Sequence, residues 1–390
     1  MSVTAARGFR AGSAEAGLAT RGGVDLTVVI NDGDMIPAAC VFTTNKAKAH
    51  PILWSQQVIG AGRARAIVLN AGGANCFTGP EGFALTHASA ETLAGLLDNT
   101  GASEVLVCST GLIGEPLPAG AVVQGIERAV ALSDSSVDAG VASSEAILTT
   151  DSRPKTAVVT LEADGGVVTI GGMAKGAGML APGLATMLVV ITTDAALEAD
   201  DLDQALRAAT RVSFDRLDSD GAMSTNDQVT LMASGASGLT PTLDAFQASL
   251  TTLCSDLAHQ LLADAEGSSH DITITVTGAQ SEDDAVAVGR AVARNNLFKA
   301  AMFGQDPNWG RVLAAIGTVD VPFDIYAVDV SMNGVRVCHA GAPDRPRSDV
   351  DLSARAIEVL IELHAGSHQA SIWTNDLTHA YVHENSAYSS

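Results

Sequence analysis

The chain has 390 residues, 47% of them hydrophobic and only 4% aromatic, with a formal net charge of −22 at pH 7. This length suits one large α/β protein or two domains whose cores are built mainly from Ala, Val and Leu. The acidity argues against nucleic acids and anionic membranes as partners, because a phosphate-binding face needs clustered Lys and Arg, although it would serve solubility equally well.

The predicted elements mix strands and helices without strict alternation. Apolar runs, several with a period of two, indicate strands, and apolar residues spaced by three and four indicate helices. In chain order, we predict strands at 25–30 and 66–70, a helix at 85–98, strands at 104–109, 156–161 and 187–193, helices at 196–210 and 243–265, a strand at 271–277, a helix at 281–298 and a strand at 325–332. This order favours an α+β fold with layered α/β/α packing over a Rossmann fold.

Cysteine and histidine patterns predict neither disulfides nor a metal site. The five cysteines are an odd number without a CxxC pair, which favours a reduced, cytoplasmic location. His259, His270, His379 and His383 lack HxxxH or HExxH spacing. No apolar run reaches the roughly 18 residues of a membrane span, and the N-terminal residues lack the apolar core of a signal peptide.

The stretch "KGAGMLAPGLATMLVVITTDA" (175–195) contains a candidate nucleophile. A threonine hydroxyl needs a base, and an N-terminal threonine can use its own α-amino group. A threonine inside the chain becomes N-terminal only when the backbone before it is cleaved. This cleavage requires a small preceding residue and a strained, well-held turn. Ala185 and the Pro182–Gly183 pair supply both features before Thr186. The same pattern also fits a β-branched residue that simply begins a strand, and spacing alone leaves both interpretations open.

Several blocks of sequence resemble one enzyme family. "MAKGAGMLAPGLATML" is similar to the signature of the ornithine acetyltransferases, also called glutamate N-acetyltransferases of the cyclic arginine pathway. Further similar blocks occur in the family's order, from near residue 40 to the end of the chain: "CSTGLIGEPLP", "ILTTDSRPK", "LLADAEG", "NLFKAAMFGQDPNWGRVLAAIG" and "DLTHAYVHENSAYSS".

This resemblance implies an N-terminal-nucleophile-like enzyme that cleaves itself between Ala185 and Thr186. Residues 1–185 would form an α chain and residues 186–390 a β chain, packed as one catalytic unit and paired further into an (αβ)₂ heterotetramer. Thr186 would take acetyl from N2-acetylornithine and pass it to glutamate in a ping-pong reaction. No cofactor or metal is implied, and acetyl-CoA is an additional acetyl donor in bifunctional members.

The resemblance also assigns supporting residues. Thr110 and Gly111, at a strand-to-turn transition, would form the oxyanion hole, since acyl transfer needs hydrogen-bond donors aimed at the developing charge. Further residues would bind substrate: Thr149, Lys175, Thr186, Glu266, Asn385 and Ser390. We expect Glu266 at the end of helix 243–265, with Gly267 as the residue that terminates it. The loops at 70–79 and 217–227 depart from the family pattern, which weakens any role for them.

Two other functions remain as alternatives. The first is a self-cleaving N-terminal-nucleophile aminopeptidase or amidohydrolase, in which water is the final acceptor. The second is a non-catalytic small-molecule binding protein on the same scaffold. The first predicts hydrolysis without transfer to glutamate, and the second predicts neither cleavage nor an acyl-enzyme.

Overall fold

The computed structural model describes residues 2–181 and 187–387. The predicted cleavage residues Ala185 and Thr186 and the C-terminal Ser390 lie outside the described residues. No helix in the described part of the chain is long and apolar enough to cross a membrane.

The described residues contain fifteen strands. They are β1 (Phe9–Ala14), β2 (Leu26–Asn31), β3 (Ala38–Phe42), β4 (Ala66–Asn70), β5 (Val105–Ser109), β6 (Lys155–Ala163), β7 (Gly166–Lys175), β8 (Leu188–Thr193), β9 (Gln228–Ala233), β10 (Asp271–Ala279), β11 (Asp329–Met332), β12 (Val335–His339), β13 (Ala342–Pro343), β14 (Ala356–Glu362) and β15 (His368–Asn375).

Ten α-helices lie in the same ranges. They are α1 (His50–Ile59), α2 (Gly79–Gly95), α3 (Ala119–Ala131), α4 (Val137–Ala146), α5 (Ala199–Arg211), α6 (Leu243–Ala263), α7 (Glu282–Ala293), α8 (Asn296–Phe303), α9 (Trp309–Ile316) and α10 (His379–Ala387).

The strands form three mixed sheets. The first has the order β1-β2-β4-β5, and the second has the order β3-β9-β8-β7-β6. The third, with the order β13-β12-β11-β14-β10-β15, is built entirely from the C-terminal third of the chain. Each sheet contains one parallel pair, β4–β5, β8–β9 and β10–β14 respectively, among otherwise antiparallel neighbours.

The first two sheets pack face to face between two layers of helices. Leu106 of β5 and Val190 of β8 share the core between the sheets. On the outer faces, α2 and α3 cover the first sheet, whereas α5 and α6 cover the second. Strands β2 and β8 are therefore buried on both faces, which explains their continuous apolar runs. The layered α+β prediction is confirmed, and the structure adds that two sheets lie between the helices.

The third sheet packs against α7, α8 and α9 in a separate apolar core. Polar contacts tie this part of the chain to the others. The amide of Asn375 donates to the backbone carbonyl of Leu262 (3.2 Å), and its Oδ1 accepts from the hydroxyl of Ser219 (2.7 Å). These contacts hold the end of β15 close to the end of α6.

The second sheet crosses the predicted α/β chain boundary. β7 lies before residue 185 and β8 after residue 186, and the two strands pair antiparallel from Ile170↔Thr193 to Lys175↔Leu188. Both segments thus contribute neighbouring strands to one sheet. The division at residue 185 stays a prediction.

Two predicted elements are not continuous in the structure. The predicted helix 281–298 is two helices, because the Asn295 side chain accepts a hydrogen bond from the Phe298 backbone N–H (3.0 Å) and caps a new helix. The predicted strand 325–332 begins only at Asp329, because Ile325–Ala327 forms a short 3₁₀ turn. The predicted cap of the first helix at Ser281 is confirmed, with a 3.1 Å bond from the Asp284 N–H.

Candidate active site

A cavity of about 120 Å³ lies where the first two sheets, the end of α6 and α10 meet. Among the described residues, it gathers six that the sequence predicts for the site: Thr110, Gly111, Thr149, Lys175, Glu266 and Asn385. The remaining lining residues are Ala74, Ile113, Thr150, Gly178, Met179, Ser224, Thr225 and Asn226. Side chains from both sides of the predicted cleavage point therefore meet around one space.

Thr110 and Gly111 form the turn that follows β5. The Thr110 N–H is bound to the Asn70 carbonyl (2.9 Å), which fixes the turn to the end of β4. Gly111 has φ +127°, and a Cβ atom there would lie 2.8 Å from the backbone nitrogen of Gly73. Glycine is required at this position because any side chain would be strained and would clash. The Thr110 hydroxyl is therefore held at the cavity wall by a rigid turn.

Lys175 is the last residue of β7, and its side chain is buried. Its Nζ donates to the hydroxyls of Thr149 (2.8 Å) and Thr110 (3.2 Å) and lies 3.8 Å from Oδ2 of Asp151. Burial lowers the pKa of Lys175, the negative charge of Asp151 opposes this effect, and the positive charge of Lys155 adds to it. Lys175 is therefore an internal cation whose ammonium proton is held less tightly than that of a surface lysine.

Asp151 links this cation to a second one. Its Oδ1 accepts from Nζ of Lys155 (2.5 Å) and from the Gly176 N–H (2.6 Å). Burial alone raises the pKa of Asp151, but the charges of Lys175 and Lys155 outweigh burial and lower that pKa to about 2. Lys155 also contacts Asp264 at 2.5 Å, so its ammonium is shared between two carboxylates. Two buried lysines and two carboxylates thus form one connected network behind the cavity.

The sequence predicted Glu266 at the end of the helix. In the structure it lies in the turn after α6. The helix ends at Ala263, because the Asp264 side chain accepts hydrogen bonds from Ser152 and Lys155 in another part of the chain. In this position Glu266 Oε1 accepts from the Thr150 hydroxyl at 2.6 Å. Gly178 faces the same carboxylate, and a Cβ there would lie 2.5 Å from it.

Asn385 reaches the cavity from α10. Its Nδ2 donates to Oε2 of Glu266 at 2.9 Å. The helix can approach because Gly267, with φ +60°, has no side chain; a Cβ there would lie 2.3 Å from the backbone nitrogen of Tyr381. The prediction that Gly267 terminates the helix is wrong, because α6 ends four residues earlier at Ala263; the glycine instead allows α10 to pack beside Glu266.

Sequence reasoning missed the loop at 217–227, although three of its residues line the cavity. The amide of Asn226 donates to the backbone carbonyls of Ala74 (2.6 Å) and Ser109 (2.8 Å), joining the loops that follow β4 and β5. The polar run "STND" (224–227), directly before an apolar strand, is the sequence feature that indicates a role for this loop. The departure from the family pattern at Ala222–Met223 argues against that role.

The same loop contacts the chain on both sides of residues 182–186. Met223 forms a β-bridge with Leu180, and the buried Asp227 accepts the Met187 N–H through Oδ1 at 3.0 Å. Burial raises the pKa of Asp227 well above its usual value, despite the hydrogen bond from Met187. The buried carboxyl of Asp227 therefore holds the residue that follows the predicted nucleophile.

The family model and the curated relatives agree on one family. The model of the ArgJ family matches residues 10–390. The chain is 57% identical over 390 residues to the arginine biosynthesis bifunctional protein ArgJ of Streptomyces coelicolor, with both chains fully covered. It is 50% identical over 392 residues to the protein of that name from Mycobacterium tuberculosis strain H37Rv, covering all of this chain and 96% of the relative.

Among solved structures, a chain of ornithine acetyltransferase from Mycobacterium tuberculosis, in complex with ornithine, is 45% identical. The match covers 48% of the present chain and 96% of that chain, with a TM-score of 0.43. The family model and the full-length relatives lead to one conclusion: the chain belongs to the ArgJ family.

Proposed function

We propose that this protein is an acetyltransferase of arginine biosynthesis that transfers acetyl from N2-acetylornithine to glutamate through an acetyl-Thr186 intermediate. Family membership supports the activity. The observation that carries the assignment to this cavity is the convergence of Thr110, Lys175 and Glu266, from three distant parts of the chain, on one space.

Self-cleavage precedes transfer in this proposal. The Thr186 hydroxyl attacks the carbonyl carbon of Ala185, the C–N bond breaks, and the Thr186 nitrogen takes up the proton. Water then hydrolyses the resulting ester, leaving a carboxylate on Ala185 and a free α-amine beside the Thr186 hydroxyl. That amine is the base that the hydroxyl needs for later turnovers. The hydrogen bond from Met187 to Asp227 supports this step, since it fixes the backbone next to the new N-terminus.

Transfer then takes place in two acyl exchanges. The Thr186 amine accepts the hydroxyl proton while the oxygen attacks the acetyl carbon of N2-acetylornithine. The proton passes to the departing nitrogen, and ornithine leaves with its free α-amine. The α-amine of glutamate attacks the acetyl ester in turn, N-acetylglutamate is released, and the Thr186 oxygen recovers a proton. The acetyl group stays on the protein between the two steps, so no cofactor carries it.

Thr110 is suited to stabilise the oxyanion of both tetrahedral intermediates. Because its Oγ1 accepts a hydrogen bond from the Lys175 ammonium, its own hydroxyl hydrogen is free to point to another acceptor. The Gly111 N–H would be the second donor. Each donor of this kind contributes about 3–4 kcal/mol to the transition state.

The charges of the cavity match a zwitterionic amino acid. Lys175 would attract a carboxylate, whereas Glu266, held by Thr150 and Asn385, would bind an ammonium group such as the side chain of ornithine. The terminal carboxylate of Ser390, five residues beyond Asn385, would add a second acidic group. We further propose a cytoplasmic (αβ)₂ assembly of the two cleaved chains, with acetyl-CoA as a second acetyl donor.

Mass spectrometry of the purified protein, before and after incubation with N2-acetylornithine, tests this function. We expect two chains divided before Thr186, with one acetyl group, an added mass of about 42 Da, on the second chain. An intact chain in active protein refutes the mechanism, and two fragments from Thr186→Ala refute cleavage by this threonine. Release of acetate without N-acetylglutamate would instead identify the hydrolase.

A further inference from the structure

Four potential metal-binding side chains lie together on the third sheet, and none of them lines the cavity. Strands β12, β11 and β14 are neighbours, and they bring His339, Asp329 and Glu362 side by side. Asp329 and Glu362 are direct cross-strand partners. His364 follows two residues after the end of β14. The sequence spacing of these residues predicts no metal site, because the sheet rather than a local motif assembles them.

The buried Asp329 carboxylate is the centre of this group. Its Oδ1 accepts from His339 Nδ1 (2.9 Å) and from the Ala340 N–H (2.8 Å). These bonds turn the other oxygen, Oδ2, toward His364, whose Nε2 is 3.3 Å away. One oxygen each from Asp329 and Glu362 and one ring nitrogen of His364 all lie within 4.8 Å of one another. Two carboxylate oxygens and one imidazole nitrogen therefore lie close together on this sheet.

The local charge favours a divalent cation there. Arg336 is the positive group nearby: its Nε contacts Asp344 at 2.7 Å, and its Nη1 lies 3.8 Å from Asp329 Oδ2. The hydrogen bond to Asp344 raises the pKa of Arg336, and the negative charge of Glu362 adds to this effect. When the histidines are neutral, three carboxylates and one guanidinium leave two negative charges unbalanced. Because like charges on directly opposite strand residues are destabilising, a dication at this point would stabilise the sheet.

We propose that Asp329, Glu362 and His364 bind a divalent transition-metal cation of the Zn²⁺ type. Imidazole and carboxylate together suit this class of metal, and ligand distances of about 2.0–2.2 Å require the exposed Glu362 and His364 side chains to move toward Asp329. His339 is the positioning residue, because its bond to Oδ1 orients Asp329 in the way that outer partners orient metal-binding carboxylates. Water would complete the coordination.

Calorimetric titration of the full-length, chelator-treated protein with ZnCl₂ at neutral pH tests the site. We expect one saturating equivalent per chain and a rise in Tm with added metal. His364→Ala and Glu362→Gln should each remove the saturating equivalent while leaving acetyl transfer unchanged. The matched control is His87→Ala, which removes a surface histidine that faces a single carboxylate, Glu91, at 3.6 Å; this variant should bind zinc as the unaltered protein does.

Three results would overturn the proposal. The first is the absence of saturable binding, and the second is an unchanged titration in both site variants. The third is weak binding of several equivalents that persists in every variant, which would reflect the overall charge of −22. Circular dichroism of each variant separates loss of the site from loss of the fold. None of these results bears on acetyl transfer, so the site and the proposed function fail independently.

Discussion

The Lys175 ammonium donates a 3.2 Å hydrogen bond to the Thr110 hydroxyl, which joins the end of β7 to the turn after β5. A buried cation thus polarises the group that we assign to the oxyanion hole. The two residues are 65 positions apart in the sequence, and the contact between the first two sheets brings them together.

Replacing Thr110 with valine tests the oxyanion assignment. Valine has nearly the same shape but no hydroxyl, so kcat should fall by about 10²–10³-fold, and the loss of an acceptor for the buried Lys175 ammonium should cost about 1–3 kcal/mol of stability. Thr110→Ser should retain most of the activity because it keeps the donor. The control is Thr160→Val on the exposed face of β6. Equal kcat values for Thr110→Val and this control would contradict the assignment.

Asp151→Asn should destabilise the protein in a pH-dependent way. The folded-state pKa is about 2, compared with 3.8 for an unperturbed aspartate, which corresponds to about 2 kcal/mol of stability. Because the folded pKa is depressed, this stability is present above about pH 4 and is lost as pH falls toward 2. Urea unfolding of both proteins across this range should show their difference shrinking on acidification. A pH-independent difference would exclude the ionised carboxylate as its cause.

Asp227→Asn should change the stability of the protein with the opposite pH dependence to Asp151→Asn. Burial raises the pKa of the Asp227 carboxyl, and asparagine keeps an oxygen acceptor for the Met187 N–H without a group that titrates. Because the folded pKa is raised, the native protein loses stability as pH increases above about 4, whereas the variant does not. The variant should therefore gain relative stability with increasing pH. Asp227→Ala, which leaves the buried Met187 N–H unpaired, should be about 1–3 kcal/mol less stable than Asp227→Asn at every pH, since neither variant titrates at this position.

Gly267→Ala should raise KM by displacing α10. A Cβ at this position would lie 2.3 Å from the Tyr381 nitrogen, so the helix must move and carry Asn385 away from Glu266. The matched control is Gly238→Ala, which has a similar positive φ of +69° and no atom within 4 Å. Both variants should lose about 1 kcal/mol from backbone strain, but only the first should bind substrate less well. Equal KM values would show that α10 does not hold the substrate site.

Local patterns predicted the buried strands and the long helix well. The run at 25–30 corresponds to β2 (Leu26–Asn31), and the apolar spacing in 243–265 corresponds to α6 (Leu243–Ala263). Where the prediction failed, a distant contact or a competing side-chain bond decided the structure. Asp264 binds residues more than one hundred positions away and ends α6 before Glu266, whereas Asn295 interrupts a continuous apolar pattern by capping α8.

The site was predictable in part because a family resemblance supplied its residues, not because their spacing did. Thr110, Thr149 and Lys175 lie on separate elements, and nothing local indicates that their side chains meet. The role of Asn226 was beyond local reasoning, because it bridges Ala74 and Ser109 from a loop more than one hundred residues further along the chain. Such contacts depend on how the sheets pack against each other, and local patterns in a single sequence do not reveal this packing.

Because β7 pairs with β8, a cut at residue 185 would leave the folded particle in one piece. The two products would remain neighbours in one hydrogen-bonded ladder, so gel filtration should find a single particle and only denaturant should separate two bands. The ladder also implies an order of events. The conformational entropy of both segments would be lost once, when the uncut chain folds, and neither fragment would have to find the other by diffusion. A cut at residue 185 would then follow folding, since the hydrogen bond from Met187 to Asp227 forms in the assembled structure.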